Sequence, residues 1–259
     1  MTTSAFGGEV SEYYQRFRRG YPLEVADGLA TAFTLTGDDV VLDLGCGTGQ
    51  LTRALAPRVG AVLGMDPEPA MLAQARQATP AANVAWLLGA DSDVGALTAV
   101  LGPGRLAAVT VAQALHWMDH ERLFAAVRPL LRPGGGVAVV TNGEPLWLQD
   151  TAWSAALRKV VSDYLGTPVH RTCGTDDASQ ERYAKALEAA GYVVRSTVVE
   201  YSAPLSVDEL AGGVFSAMNP DQLPSPDARP AFTERIRAAV APHGPLGERV
   251  RVRLLTGTR

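Results

Sequence analysis

A chain of 259 residues, 47% hydrophobic and with a net charge of −4, is long enough to bury one large core. The acidic balance excludes a nucleic-acid footprint, Cys46 and Cys173 are too few for a disulfide framework, and no stretch approaches the roughly eighteen apolar residues of a membrane span. The opening MTTSAFGGEV lacks an apolar signal core, so a soluble, cytoplasmic protein is expected.

Residues 1–21 are polar and aromatic and hold Tyr13, Tyr14, Arg16, Phe17, Arg18, Arg19, Gly20 and Tyr21, followed by Pro22. The run LEVADGLATAF then carries a helical apolar stripe at Leu23, Ala26, Leu29, Ala30 and Phe33. Next comes VVLDLGCGTGQ, residues 40–50, in which an apolar run with one acid, Asp43, breaks into Gly45, Gly47 and Gly49. Such a run bounded by glycine suits a strand buried on both faces of a parallel sheet. The glycines let the backbone turn tightly and approach a ligand. Leu51, Leu55 and Val59 follow at helical spacing, so a nucleotide-type site is expected at the end of this first strand. A dinucleotide fingerprint would place its third glycine at position 50, where Gln50 stands.

The second strand is AVLGMD, 61–66, and its closing Asp66 lies 21 residues after Gly45, where a nucleotide fold places a carboxylate for ribose hydroxyls. Asp66 also suits the cap of a helix that starts at Pro67 and buries Met71, Leu72 and Ala75. The third strand is 83–90, followed by Asp91, Ser92 and Asp93, with Asp93 a candidate cap for a helix over 94–101. The fourth, 106–114, runs into LHWMDH with His116 and Trp117, and Trp117 is expected to pack under the loop. A helix over 121–131 and the RPGGG stop lead to a fifth buried strand, 136–143. Five strands alternating with helices argue a doubly wound parallel sheet.

After Gly143 the pattern loosens. Residues 144–166 read as one helix, 181–192 as a second, 193–202 as a strand, 228–242 as a helix and 248–257 as a closing strand. Residues 203–226, rich in proline, glycine and serine, read as a lid or surface loop. His170, Arg171, Cys173, Asp176 and Asp177 lack the pair spacing of a metal site, so none is expected. Arg249, Arg251 and Arg253 alternate, which puts them on one solvated strand face.

The order D-x-G-x-G-x-G, then an acid closing the next strand, then a helix with L-R-P-G-G before an apolar strand, resembles class I S-adenosylmethionine-dependent methyltransferases. The elements Y-x-x-x-R-x-x-Y-P near the start and A-Q-A-x-H-W-x-D after the fourth strand are similar to the small-molecule branch that includes trans-aconitate methyltransferase-like (type 11) enzymes. The resemblance spans residues 10–142 and continues beyond them only as strand order. It implies an α/β, Rossmann-like, doubly wound sheet of seven strands, mostly parallel with an antiparallel last strand, plus helical acceptor-side lid insertions. One domain, 1–259, is expected: a cofactor-covering arm and helix (1–36), a cofactor core (37–142) and acceptor-side additions with the closing strands (143–259).

The cofactor implied is S-adenosyl-L-methionine, with S-adenosyl-L-homocysteine as product. Its contacts would come from Tyr14, Arg18, Asp43, Gly45, Cys46, Gly47, Gly49, Asp66, Pro67, Met71, Asp91, Ser92, Ala112 and Gln113. Arg18 would pair with the cofactor's carboxylate, and Asp91 or Ser92 would take the adenine amine. His116 is either a base or acceptor-binding group, or a residue that hydrogen-bonds and orders its loop. The partner expected is a small-molecule acceptor, not nucleic acid or a membrane, with the protein a monomer or homodimer. A non-methylating enzyme using the same sulfonium, a nicotinamide-dependent dehydrogenase and a non-catalytic binding module are the competing readings.

Overall fold

A computed structural model describes residues 9–170 and 173–259. The chain divides into two compact units. The sheet unit comprises residues 19–142, 173–199 and 252–259, and the helical unit takes residues up to 18, 143–172 and 200–251. The helix over 23–33 belongs to the sheet unit. Residues 1–8, Arg171 and Thr172 lie outside the described residues.

The sheet unit opens with α2 (Leu23–Phe33), after α1 (Glu9–Phe17) of the other unit. Then follow β1 (Val40–Leu44), α3 (Gln50–Leu55), β2 (Ala61–Asp66), α4 (Pro69–Ala78), β3 (Val84–Leu88), α5 (Leu97–Leu101), β4 (Leu106–Ala112), α6 (His120–Val127) and β5 (Leu131–Asn142). The sheet has seven strands in the order β3-β2-β1-β4-β5-β7-β6, where β6 is Val193–Pro204 and β7 is Gly247–Thr258. Strands β1 to β5 pair in parallel, and β7 runs antiparallel to β5, with Val139 opposite Leu255.

Leu42, Leu44, Val109, Val111, Val137 and Val139 are buried in one cluster with Leu123, Phe124 and Val127 of α6. Leu187 of α8 (Asp177–Ala189) closes the same cluster, and the Tyr192 hydroxyl donates to the Phe124 carbonyl at 3.0 Å. Fully burying such side chains contributes roughly 1.5–3 kcal/mol each. This core holds the strand ends in fixed register beneath the loops that follow.

Several boundaries differ from the sequence reading because a side-chain cap outranks periodicity. Helix α4 begins at Pro69, not Pro67, after the N-cap Glu68. Residues 91–96 form a 3-10 turn ahead of α5, and Asp93 accepts from the Ala90 amide at 2.9 Å. The RPGGG segment is part of β5 rather than a loop, with an irregular register between Leu106 and Ala108 on β4.

In the helical unit, α7 (Ala152–Leu165) starts only at Ala152, because the Thr151 hydroxyl accepts from the Ser154 amide; a separate 3-10 turn covers Leu146–Leu148. Residues 203–226 are not irregular throughout: they contain α9 (Val207–Phe215), opened by a reciprocal Ser206–Glu209 capping box. Helix α10 (Arg229–Val240) follows. Trp153, Leu157, Leu210, Val214, Phe215, Phe232 and Ile236 form the buried centre of this unit. Helix α1 joins it through Phe17, whose ring occupies the space a Cβ on Gly212 would need. Arg249 and Arg251 both pair with Glu200 here, while Arg253 pairs with Asp177 in the sheet unit. These are exposed pairs of small energetic weight. No helix among the described residues is long and apolar enough to cross a membrane.

Candidate active site

Strand β1 has β2 on one side and β4 on the other, so the chain reverses direction across the sheet between β1 and β4. In open α/β sheets ligands bind at that reversal, outside the carboxyl ends of the strands. The turn after β1 and the loop after β4 meet there: a Cβ on Gly45 would lie 2.5 Å from Ala114 Cβ and 3.1 Å from Met118 Cε.

Gly45, Gly47 and Gly49 all have positive φ, at 66°, 54° and 78°, a region that costs other residues steric strain. The amides of Gly45 and Cys46 donate to the Met65 carbonyl at 2.8 and 3.1 Å, and Gly49 closes the turn onto the Cys46 carbonyl at 2.9 Å. Nothing lies within 4 Å of the Cβ position of Gly47, so the middle of the turn faces open space. Gly49 is the N-cap of α3. Cys46 is buried, and burial pushes its thiol well above the usual range, so it is not a nucleophile.

Asp66 accepts from the Gly47 amide at 2.9 Å through Oδ2 and from the Glu68 amide at 2.9 Å through Oδ1. Burial raises its pKa, and these two amide bonds oppose the rise. One carboxylate thus ties the glycine turn to the entry of α4, and each oxygen keeps a second lone pair for a ligand. Pro67 beside it is exposed, and Met71 is buried in α4.

Asp43, expected among the cofactor contacts, faces two threonines in the structure. It is fully buried, and its carboxylate oxygens accept from Thr52 Oγ1 at 2.5 Å and Thr110 Oγ1 at 2.9 Å. It braces α3 and β4 against β1 and presents no open oxygen. Burial raises its pKa to about 6 against the opposing pull of the two threonines. Thr52 and Thr110 were missed from sequence, because a lone threonine in an apolar run carries no local signal.

Ala112 ends β4, and Gln113 follows with φ 56°. Left-handed backbone at a non-glycine residue costs on the order of 1–3 kcal/mol and collects at functional sites. Gln113 is held there by its amide on the Val140 carbonyl and by Nε2 on the Asn142 carbonyl, both at 3.0 Å. Its Oε1 is buried without a partner among the described residues, as are Thr48 Oγ1 and Gln50 Nε2 of the glycine turn. Orphaned buried polar atoms are rare, and three on the two loops of one crevice fit a polar ligand.

His116 lies in the 3-10 turn Leu115–Trp117 and is half-buried. It makes no hydrogen bond among the described residues and touches the Trp117 ring at 4.9 Å between centroids. Burial pushes its pKa below the ordinary histidine value, which leaves a neutral imidazole. Trp117 is 66% exposed, contrary to the expectation that it packs under the loop. Asp91 is half-buried and Ser92 exposed at the end of β3. Tyr14 and Arg18 belong to the helical unit, where the Arg18 guanidinium lies 5.4 Å from the Tyr14 ring centroid and donates to Ser216 Oγ at 2.9 Å.

A methyltransferase-domain family model matches residues 41–135, the segment carrying β1 to β4 and both loops. An uncharacterized methyltransferase of Mycobacterium tuberculosis is 40% identical over 138 residues, covering 53% of this chain and 52% of the relative. A second one from that organism is 34% identical over 135 residues, covering 50% of this chain and 66% of the relative. The chain spans about half the length of the first of these relatives. Among solved structures, a protein of Anaeromyxobacter dehalogenans assigned as a type II methyltransferase superposes with a TM-score of 0.61 at 22% identity, covering 94% of this chain and 97% of that one. At that identity the likeness speaks for the fold. A precorrin-8w decarboxylase of Methanobacterium thermoautotrophicum shares the fold as well, with a TM-score of 0.52 at 15% identity over 93% of each chain, so the sheet alone does not select a reaction. Residues 41–135 thus carry the match to a methyltransferase domain, and the relatives that share about half of this chain are methyltransferases too.

Proposed function

We propose that the protein transfers a methyl group from S-adenosyl-L-methionine to a small-molecule acceptor, releasing S-adenosyl-L-homocysteine. The observation that carries this reading is the pairing of the three-glycine turn with Asp66 at the sheet's reversal point, the Gly47 amide bonded to the Asp66 carboxylate. In the proposal Asp66 accepts the ribose hydroxyls, Gly45 to Gly49 admit the cofactor's amino-acid end, and Asp91 or Ser92 meets the adenine. Thr48, Gln50 and Gln113 supply the polar atoms that have no partner among the described residues.

When bound, the cofactor supplies a methyl group on an already activated sulfonium, for in-line displacement by the acceptor. The chain is then left with alignment, exclusion of water and, for an acceptor that must lose a proton, a base. Holding reactants in line accounts for roughly 7–11 kcal/mol of barrier lowering in well-oriented reactions. His116 fits the role of that base, since a neutral imidazole can take a proton or bind the acceptor.

Isothermal calorimetry with S-adenosyl-L-homocysteine and with NAD tests the cofactor. Saturable binding of the former alone is expected, and the reverse result would make the site a dehydrogenase. Incubation with methyl-labelled cofactor and pooled small-molecule acceptors then tests the reaction, with a labelled product heavier by one methyl group expected. Labelled product of any other mass increment would favour a different use of the sulfonium.

A further inference from the structure

We propose that Trp86 is a positioning residue of the cofactor turn: its six-membered ring is the floor against which Gly49 and Gly64 are set. The proposal rests on the reading of that turn as the cofactor site. Trp86 stands on β3 directly opposite Gly64 of β2. A Cβ on Gly64 would lie 2.5 Å from Trp86 Cζ3 and 2.6 Å from Cε3, while a Cβ on Gly49 would lie 2.7 Å from Cη2. One edge of the ring therefore lies on the β2 backbone and its far corner reaches the N-cap of α3. A glycine inside a strand marks the close approach of another group, and here that group is the indole.

The other neighbours of the Gly49 Cβ position are small, Ala75 Cβ and Thr79 Oγ1, each at 3.4 Å. The indole is thus the bulkiest body beneath that end of the turn. Close-packed interiors transmit displacement rather than absorb it. Gly49 closes the turn onto Cys46, so a shift at Gly49 moves the segment that carries Gly47 and Thr48. A residue of the third strand, outside the glycine motif, in this way sets the geometry of the motif.

A core tryptophan with no such role would cost stability when removed and leave ligand affinity alone. The test is calorimetric titration of S-adenosyl-L-homocysteine into the wild type, Trp86→Phe and Trp86→Leu well below their melting temperatures. Moving the turn off its ligand forfeits at least one hydrogen bond to it, so Trp86→Leu is expected to weaken binding by about tenfold. The phenyl ring of Trp86→Phe keeps an aromatic face beside β2 but is too short to reach Gly49, and is expected to give a loss between those of the wild type and Trp86→Leu. Gly64→Ala is expected to weaken binding strongly in the wild type and little in the Trp86→Leu background, where its Cβ meets no ring. Should Trp86→Leu fail to fold, Gly64→Ala in the wild type and in Trp86→Phe carries the comparison, with the smaller loss expected in the phenylalanine background. A lower melting temperature with unchanged affinity in the Trp86 variants, or fully additive losses with Gly64→Ala, would overturn the proposal. A wild type that does not bind the ligand would instead sink the cofactor reading on which it rests.

Discussion

Replacing Asp43 by asparagine isolates the electrostatic cost of the brace beneath the glycine turn. Asp43 is fully buried, with one oxygen on Thr52 and the other on Thr110, and burial raises its pKa from 3.8 to about 6. A tenfold change in proton affinity corresponds to about 1.4 kcal/mol, so a rise of about a hundredfold corresponds to roughly 3 kcal/mol. For an acid whose folded pKa is raised, the folded state binds the proton more tightly than the unfolded state. The stabilising contribution is then fully present below about pH 4 and is lost as pH rises through about 6. Asparagine keeps the shape and never ionises; one threonine hydroxyl can rotate to accept from its NH2 group while the other still donates to its amide oxygen. Wild type and Asp43→Asn should therefore differ in a pH-dependent way, the variant gaining on the wild type by about 2–3 kcal/mol between pH 4 and pH 7. Urea unfolding at closely spaced pH values measures the difference, provided the slope with denaturant is common to both proteins. A difference that stays flat within about 0.5 kcal/mol across this range would mean that Asp43 titrates like an exposed carboxylate and refute the reasoning.

Three further outcomes follow from the site and its neighbour unit. Asp66→Asn should weaken S-adenosyl-L-homocysteine binding by at least about tenfold, since hydrogen bonds to a charged group contribute about 1.5–3 kcal/mol; calorimetry that finds equal affinity would leave Asp66 as a brace for Gly47 and Glu68 alone. His116→Ala should lower turnover roughly 10²–10⁴-fold if the imidazole is a base, with loss of a rate ionisation below the ordinary histidine value; if it binds an ionised acceptor, acceptor KM rises while kcat and the pH profile hold. Gly212→Ala should cost the helical unit about 1–3 kcal/mol, because the new methyl group must displace the Phe17 ring; limited proteolysis near residues 9–18 should quicken, and an unchanged rate would show that α1 does not depend on this packing.

The half of the chain that carries the crevice was legible because each of its signals is local. A parallel strand buried on both faces reads as a continuous apolar run, and β2 begins and ends at the expected residues, Ala61 and Asp66. Helix α2 likewise spans the predicted Leu23–Phe33. The role of Asp43 was not legible, since an acid two residues before a glycine turn reads the same whether it faces a ligand or two threonines. What separates the cases is burial, and burial depends on Thr110, 67 residues away. Trp86 escaped for the same reason: Gly64 announces that something approaches β2, but only the β2–β3 register names the indole as the visitor.

The helical unit was harder for a different reason. Its three segments, up to residue 18, 143–172 and 200–251, are separated by stretches that fold with the sheet, so no continuous period runs through its core. Composition then misleads. Proline, glycine and serine between 203 and 226 suggested irregular chain, yet Ser206 and Glu209 form the S-x-x-E capping box, which marks a helix start whatever surrounds it. The glycine pair inside that helix is not a break but a contact surface. Gly212 admits the Phe17 ring, and a Cβ on Gly213 would lie 2.8 Å from Leu146 Cδ1. Glycine in a helix interior costs up to about 1 kcal/mol relative to alanine, a cost offset here by two close packings. One of those packings joins α1 to α9, and the Arg18–Ser216 hydrogen bond reinforces it. Residues 9–18, expected as part of a cofactor-covering arm, pack through Tyr13 and Phe17 against the segment after β6. A substitution at Gly212 should consequently be felt at Arg18 as readily as within α9 itself.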